Sequence, residues 1–216
     1  MSDILLVFVK APSPGRVKTR LLPAFSPEQA ASVYRCLVSH TMAVVTRLQE
    51  IQIVVAYAPD ARFPDVAWLH PQPRMMIQQG QTLGDRLVHA FDWAFARGDR
   101  RVVALGSDAP DLSTDWIQDA FVAMTRNDVV LGRATDGGYH LIGLTRPQPE
   151  LFVDIPWSSP RVLARTREHI DRLHLRVHQL EPIADVDTPQ DAQRYLSTVD
   201  SPDDQTRTAS VLEPIS

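Results

Sequence analysis

The chain has 216 residues, 44% of them hydrophobic, which is enough for a sizeable core because a domain this large removes roughly 70% of its unfolded surface from water. Its 22 Lys and Arg against 26 Asp and Glu leave a net charge of -4, so it supplies no field to hold a nucleic-acid backbone. A single cysteine, Cys36, excludes an internal disulfide framework and a CxxC metal site. No run approaches the ~20 apolar residues of a membrane helix, and residues 4–9 are too short and lack the basic flank of a signal peptide; the sequence reads as soluble and cytoplasmic, with no nucleic-acid or membrane partner.

Residues 4–9 are continuously apolar, as a strand buried on both faces should be. KAPSPGRVKTRL follows, residues 10–21, a loop that gathers Lys10, Arg16, Lys18 and Arg20 around Pro12, Pro14 and Gly15. In an open parallel sheet the loops leaving the carboxyl ends of strands line the ligand crevice, so these cations read as a phosphate cradle, and Gly15 permits close approach of the backbone. The spacing is not that of a P-loop, and a solvated cluster of surface cations is the plain alternative. A helix is predicted over residues 27–48, opened by Ser26 as cap, Pro27 at the first turn and Gln29 completing a capping box.

Strand-like runs follow at residues 51–57 and 75–78. QGQTLGDRL, residues 79–87, then sets Gly80 and Gly84 about a short loop and Asp85 with Arg86 at the mouth of a helix over 83–97 that Gly98 closes. Backbone groups there can read a nucleobase edge or ribose; a plain helix entry explains the text as well.

After the strand 102–105 comes LGSDAPDL, residues 105–112. A carboxylate at a strand's carboxyl end suits a hard cation that also touches phosphate oxygens, which makes Asp108 a candidate metal ligand; turn hydrogen bonds by Ser107, Asp108 and Asp111 account for it equally. Ser113 can cap a helix through Met124. Strands 129–131 and 139–144 flank Asp136, Gly137 and Gly138, which read as a hairpin turn and also as a place where substrate lies against backbone, met by Asp136 and His140. Trp157 in IPWSS reads as a core tryptophan or a pocket wall. A last strand is predicted over 175–180, and in DVDTPQD, residues 185–191, Thr188 and Pro189 open a helix with Asp187 just before it. His70, His89, His169, His174 and His178 show no metal-ligand spacing. From residue 197 the text is polar and aperiodic, giving one domain over 1–196 and a tail over 197–216.

Strands alternating with helices predict an α/β fold with a mixed, mostly parallel sheet flanked by helices. The six motifs KAPSPGRVKTRL, GQTLGDRL, GSDAPDL, DGGYHLIGL, IPWSS and DVDTPQD, in this order over residues 4–196, resemble those of the bacterial domain-of-unknown-function proteins DUF2064. These are also called arsenosugar-biosynthesis-type or radical-SAM-associated glycosyltransferases, of the nucleotide-diphospho-sugar transferase superfamily. Ala109 and His140 stand where relatives often have Cys and Tyr. The resemblance implies the glycosyltransferase-A fold, Mg2+ (or Mn2+) held by Asp108 and Asp187, and phosphates held by Lys18 and Arg20.

KTRL is also similar to the phospholactate guanylyltransferases, and DTP to a magnesium-ligating turn of sugar-phosphate nucleotidyltransferases. Two activities are therefore expected. In the first, a sugar moves from a nucleotide-sugar donor to a small-molecule acceptor that Asp136 orients or deprotonates. In the second, a nucleoside triphosphate is joined to a small phosphorylated substrate with release of pyrophosphate. A nucleotide-binding protein without turnover is the rival from another class, since fold alone never proves chemistry.

Overall fold

The computed structural model describes residues 2–69 and 72–198; His70 and nearly all of the expected tail lie outside them. Seven strands form one sheet in the order β3-β2-β1-β4-β6-β5-β7: β1 Asp3–Lys10, β2 Ile51–Ala58, β3 Met75–Ile77, β4 Arg101–Leu105, β5 Val129–Ala134, β6 Tyr139–Leu144 and β7 Val177–Ile183. β6 alone runs against its neighbours β4 and β5; every other pairing is parallel. The described residues form five α-helices, α1 Pro27–Val45, α2 Leu83–Ala96, α3 Thr114–Ala123, α4 Val162–Arg172 and α5 Pro189–Thr198, of which the first four pack on the sheet. The mixed, mostly parallel sheet expected from the sequence is the one observed.

The two-residue period of a strand divides the core. From β1, Leu5, Val7 and Val9 point to a layer with Tyr34 and Val38 of α1 and Phe121 of α3, while Ile4 and Leu6 join Leu87 and Phe91 of α2 and Ile170 of α4 on the other face. A third cluster lies outside the sheet, where Leu21 and Phe25 pack with Leu37 of α1, Val186, and Ala192 and Tyr195 of α5. That cluster fastens the end of the basic loop to the turn before α5.

The helix signals hold locally. Ser26 accepts from Gln29 N–H at 3.1 Å and Gln29 Oε1 from Ser26 N–H at 2.8 Å, the reciprocal bonds of a capping box. α1 stops at Val45, three residues short of the expected end, and Gly98 takes the left-handed φ of 86° that ends α2. α4 fills residues to which no element is assigned above; its sequence VLARTREHIDR buries only Val162, Thr166, His169 and Ile170. α5 runs through Thr198, two residues into the segment expected as tail. No helix among the described residues is long and apolar enough to cross a membrane.

Candidate active site

The loops that follow β1, β3, β4, β5 and β7 leave the carboxyl ends of parallel strands at one edge of the sheet and meet there, joined by the segment with Trp157, which comes after the antiparallel β6. Lys10 N–H donates to Tyr34 Oη at 2.8 Å, so α1 holds the start of the basic loop. Burial raises the Tyr34 hydroxyl's pKa, and the charge of Asp108 raises it further, so it stays a neutral partner. Gly15 has φ 75° and no atom within 4 Å of where a Cβ would stand, so its glycine serves the turn rather than a close contact. Lys18 is left-handed at φ 46°, ψ 42°, a conformation that costs a non-glycine residue about 1 kcal/mol or more and persists only where surroundings enforce it.

Those surroundings are acidic. The Lys18 side chain is 5% exposed; its Nζ donates to Val186 O at 2.7 Å and sits 3.3 Å from Asp187 Oδ1 and 3.2 Å from Asp108 Oδ1. Arg20 Nη1 donates to Asp187 Oδ2 at 2.7 Å. Val186 N–H donates to Asp108 O at 3.1 Å, which ties the two acidic turns together directly. Lys18 is thus internal mortar between Asp108 and Asp187, while Lys10, Arg16 and Arg20 are the exposed cations of the loop.

Asp191 caps α5 by accepting from Thr188 N–H at 2.9 Å, and hydrogen bonds from Thr188 hold its carboxyl below the usual range. That leaves Asp187 to face the cleft. Carboxylate oxygens of Asp136, Asp185 and Asp187 lie within 4.8 Å of one another. Burial raises the Asp185 pKa, and the charges of Asp187 and Asp136 raise it further against the opposing pull of His140. Asp185 is a site residue missed in the sequence; what gives it away is burial and the approach of Asp136 from another loop, which its own neighbour Asp187 alone does not reveal.

Three carboxylates crowded at one edge, with only hard oxygen donors, fit a divalent ion such as Mg2+ or Mn2+. Asp187 belongs to both this group and the expected pair with Asp108, whose shared space Lys18 Nζ fills.

These residues line a cleft of about 670 Å³. Lys10, Arg16, Lys18, Arg20, Asp108, Asp136 and Asp187 all face it, joined by Gln78, Gln81, Arg86, Trp157 and Ser158. The tryptophan is half-buried, edge-on to Tyr139 at 6.4 Å, and packs on the core while it lines the cleft, so it serves both readings.

Other expected residues stand behind the cleft. Asp85 accepts from Gln81 and Thr82 N–H at 3.1 and 2.9 Å, an N-cap bond set that lowers its pKa. Gly84 is buried, with 2.8 Å between a hypothetical Cβ and Phe152 O, and Gly80, at φ 127°, lies against Asp85. Both seat α2. Asp136 Oδ1 accepts from Gly138 N–H at 2.9 Å and Gly137 has φ 91°, the tight turn expected between β5 and β6. His140 lines a smaller recess beside the cleft.

No curated protein matches the chain. A protein of Desulfovibrio desulfuricans G20, provisionally named a nucleotide-diphospho-sugar transferase, superposes with a TM-score of 0.85 at 36% identity over 98% of this chain and 94% of its own. CMP:2-keto-3-deoxy-manno-octonic acid synthetase in complex with CTP superposes at 0.57 with 12% identity, over 89% and 96% of the two chains. Rv0371c of Mycobacterium tuberculosis H37Rv, in complex with manganese, does so at 0.55 with 16% identity, over 92% and 100%. The sheet is that of the glycosyltransferase-A fold, shared by nucleotidyl and glycosyl transferases. The family model described as "Uncharacterized protein conserved in bacteria (DUF2064)" matches residues 41–159, which include Asp108, the Asp136 hairpin and Trp157. The chain belongs to that family.

Proposed function

We propose that the protein is a metal-dependent transferase that grips a nucleotide donor by its phosphates and moves the attached sugar to a small-molecule acceptor. One observation carries this reading: the exposed cations Lys10, Arg16 and Arg20 line a single cleft together with the carboxylates of Asp108, Asp136 and Asp187. Diphosphate oxygens satisfy the cations, and a bound Mg2+ or Mn2+ would neutralise charge building on the leaving phosphate. Asp185 and Asp187 would hold the ion, which leaves Asp136 to accept the acceptor's proton as the hydroxyl oxygen bonds to the anomeric carbon and the bond to the donor phosphate breaks. The structural likeness to the D. desulfuricans protein and the arsenosugar-type resemblance of the motifs support this reading.

The cation count favours a second reading. The diphosphate of a nucleotide sugar with its metal is close to neutral, whereas a triphosphate leaves negative charge for the loop cations and Arg86 to balance. In nucleotidyl transfer, a substrate phosphate attacks the α-phosphorus and pyrophosphate leaves. The CTP-bound fold relative supports that variant. Phosphorus NMR with Mg2+ separates the two: nucleoside diphosphate released from a nucleotide sugar is the expected result, and pyrophosphate released from a triphosphate with a phosphorylated co-substrate establishes the second. An Asp187→Asn protein that turns over unchanged overturns the metal role, and absence of either product across a panel of nucleotide sugars and nucleoside triphosphates overturns both.

A further inference from the structure

Three separate stretches of chain meet at Trp157. Residues 155–159, IPWSS, carry Trp157 and Ser158 into the lining of the cleft, the mouth of α2 brings Gln81 and Leu83, and the turn between β5 and β6 brings Asp136. The segment is fastened to that turn: Leu163 N–H donates to Gly137 O at 3.0 Å, and Gly137 lies too close to Pro160 for any side chain. It is fastened to α2 as well. A Cβ on Gly84 would stand 3.1 Å from Trp157 Nε1, so the bare glycine gives the indole edge its seat. Tyr139 meets the indole at 78°, and Trp157 N–H donates to Ile155 O at 2.8 Å. The next residue, Ser158, is exposed and left-handed at φ 64°, a strained conformation of the kind that clusters at ligand clamps.

An aromatic ring held at its edge, partly open to a cleft and bordered by a hydroxyl, an amide and the 43% exposed Leu83, suits one class of group. A hexose has a face of C–H bonds that rests on the negative face of an indole, and a rim of hydroxyls that both donate and accept hydrogen bonds. A nucleobase also stacks on indoles, but Trp157 adjoins the turn of Asp136, whose carboxylate belongs to the acidic group with Asp185 and Asp187. In a nucleotide sugar the hexose is bonded directly to the phosphate, while the base stands a ribose away from it. We infer that Trp157 is the platform for a hexose ring bonded to the phosphate in the cleft, with Ser158 and Gln81 hydrogen-bonding its hydroxyls. The ring's part in transfer rests on the transferase reading above; its binding does not.

The probes are the 1-phosphates of glucose, mannose and N-acetylglucosamine, titrated with Mg2+ while the Trp157 indole N–H and the Ser158 amide are followed by NMR. A saturable shift of both signals with at least one hexose phosphate is expected, and a much smaller one with inorganic phosphate. Trp157→Leu should weaken that binding roughly tenfold, and Trp157→Phe, which keeps a ring and the packing behind it, by no more than about threefold, both read at the Ser158 amide. The platform is overturned if none of the three hexose phosphates moves the indole signal, or if inorganic phosphate or cytidine monophosphate moves it as far. Equal weakening in W157F and W157L overturns it too. No nucleotide sugar is present, so the outcome is readable even if the phosphorus NMR experiment finds no transfer. If transfer is found, unchanged kcat/KM in W157L overturns the ring's part in it.

Discussion

Lys18 is the residue on which sequence and structure differ most in meaning. Its place in KTRL makes it a phosphate ligand by resemblance, yet its side chain is nearly buried and its ammonium hydrogen-bonds a carbonyl and the Asp187 carboxylate and pairs in charge with Asp108. Removing a partner from such a group is expensive because the charges left behind stay partly desolvated, here moderated by the 43% and 30% exposure of Asp108 and Asp187. Lys18→Met is expected to lose about 1–3 kcal/mol, a fall in Tm of roughly 2–12 °C. Added Mn2+ should restore more Tm to the variant than it adds to the wild type, since a cation can take over between the acids. Equal Mn2+ shifts in calorimetric scans of the two proteins would refute this account. Arg20, with 60% of its side chain exposed, is the more accessible of the two cations.

At the scale of elements, the ends of helices and the hairpin were legible because their signals are local. Ser26, Gln29, Gly98 and the Asp136–Gly138 turn each depend on bonds made within a few residues. α4 and the edge strand β7 were harder: α4 buries a narrow face, and β7 alternates poorly because much of it is exposed. What pins β7 is a long-range contact. Asp128 accepts from Arg176 N–H at 2.9 Å and from its guanidinium, and that hydrogen bonding holds the Asp128 carboxyl below the usual range. A carboxyl whose pKa is lowered on folding adds stability that is full above its unfolded pKa and is lost as pH falls through the folded one. Asp128→Asn should therefore cost about 1 kcal/mol at neutral pH, since the guanidinium side is exposed and screened, and nothing once the wild-type carboxyl is protonated. Urea midpoints of both proteins at pH 7 and in acid test this; a gap unchanged in acid would contradict it.

Across the whole molecule, the site is assembled by the cluster outside the sheet. Val186, 1% exposed, packs with Leu21, Leu37 and Tyr195 while its backbone bonds both Lys18 and Asp108. Val186→Ala opens a cavity at that seam and is expected to lose about 2 kcal/mol, or roughly 4–8 °C in Tm. It should also weaken Mn2+ binding, because Asp187 is the next residue. Retained Mn2+ affinity at lowered Tm would separate the packing from the site.

The sequence by itself determined the alternation of strands and helices, the caps, the placing of charged loops at strand ends and the order of the six motifs. Hydrophobic period and capping act over short stretches of chain, so one dimension records them. Only the tertiary structure decided that Lys18 is held inside while Arg20 faces out, that Asp185 joins Asp136 and Asp187, and that the Trp157 segment is fastened to the Asp136 turn. Each of these depends on groups brought together from distant loops, where a side chain's surroundings, more than its type, set its charge, exposure and use.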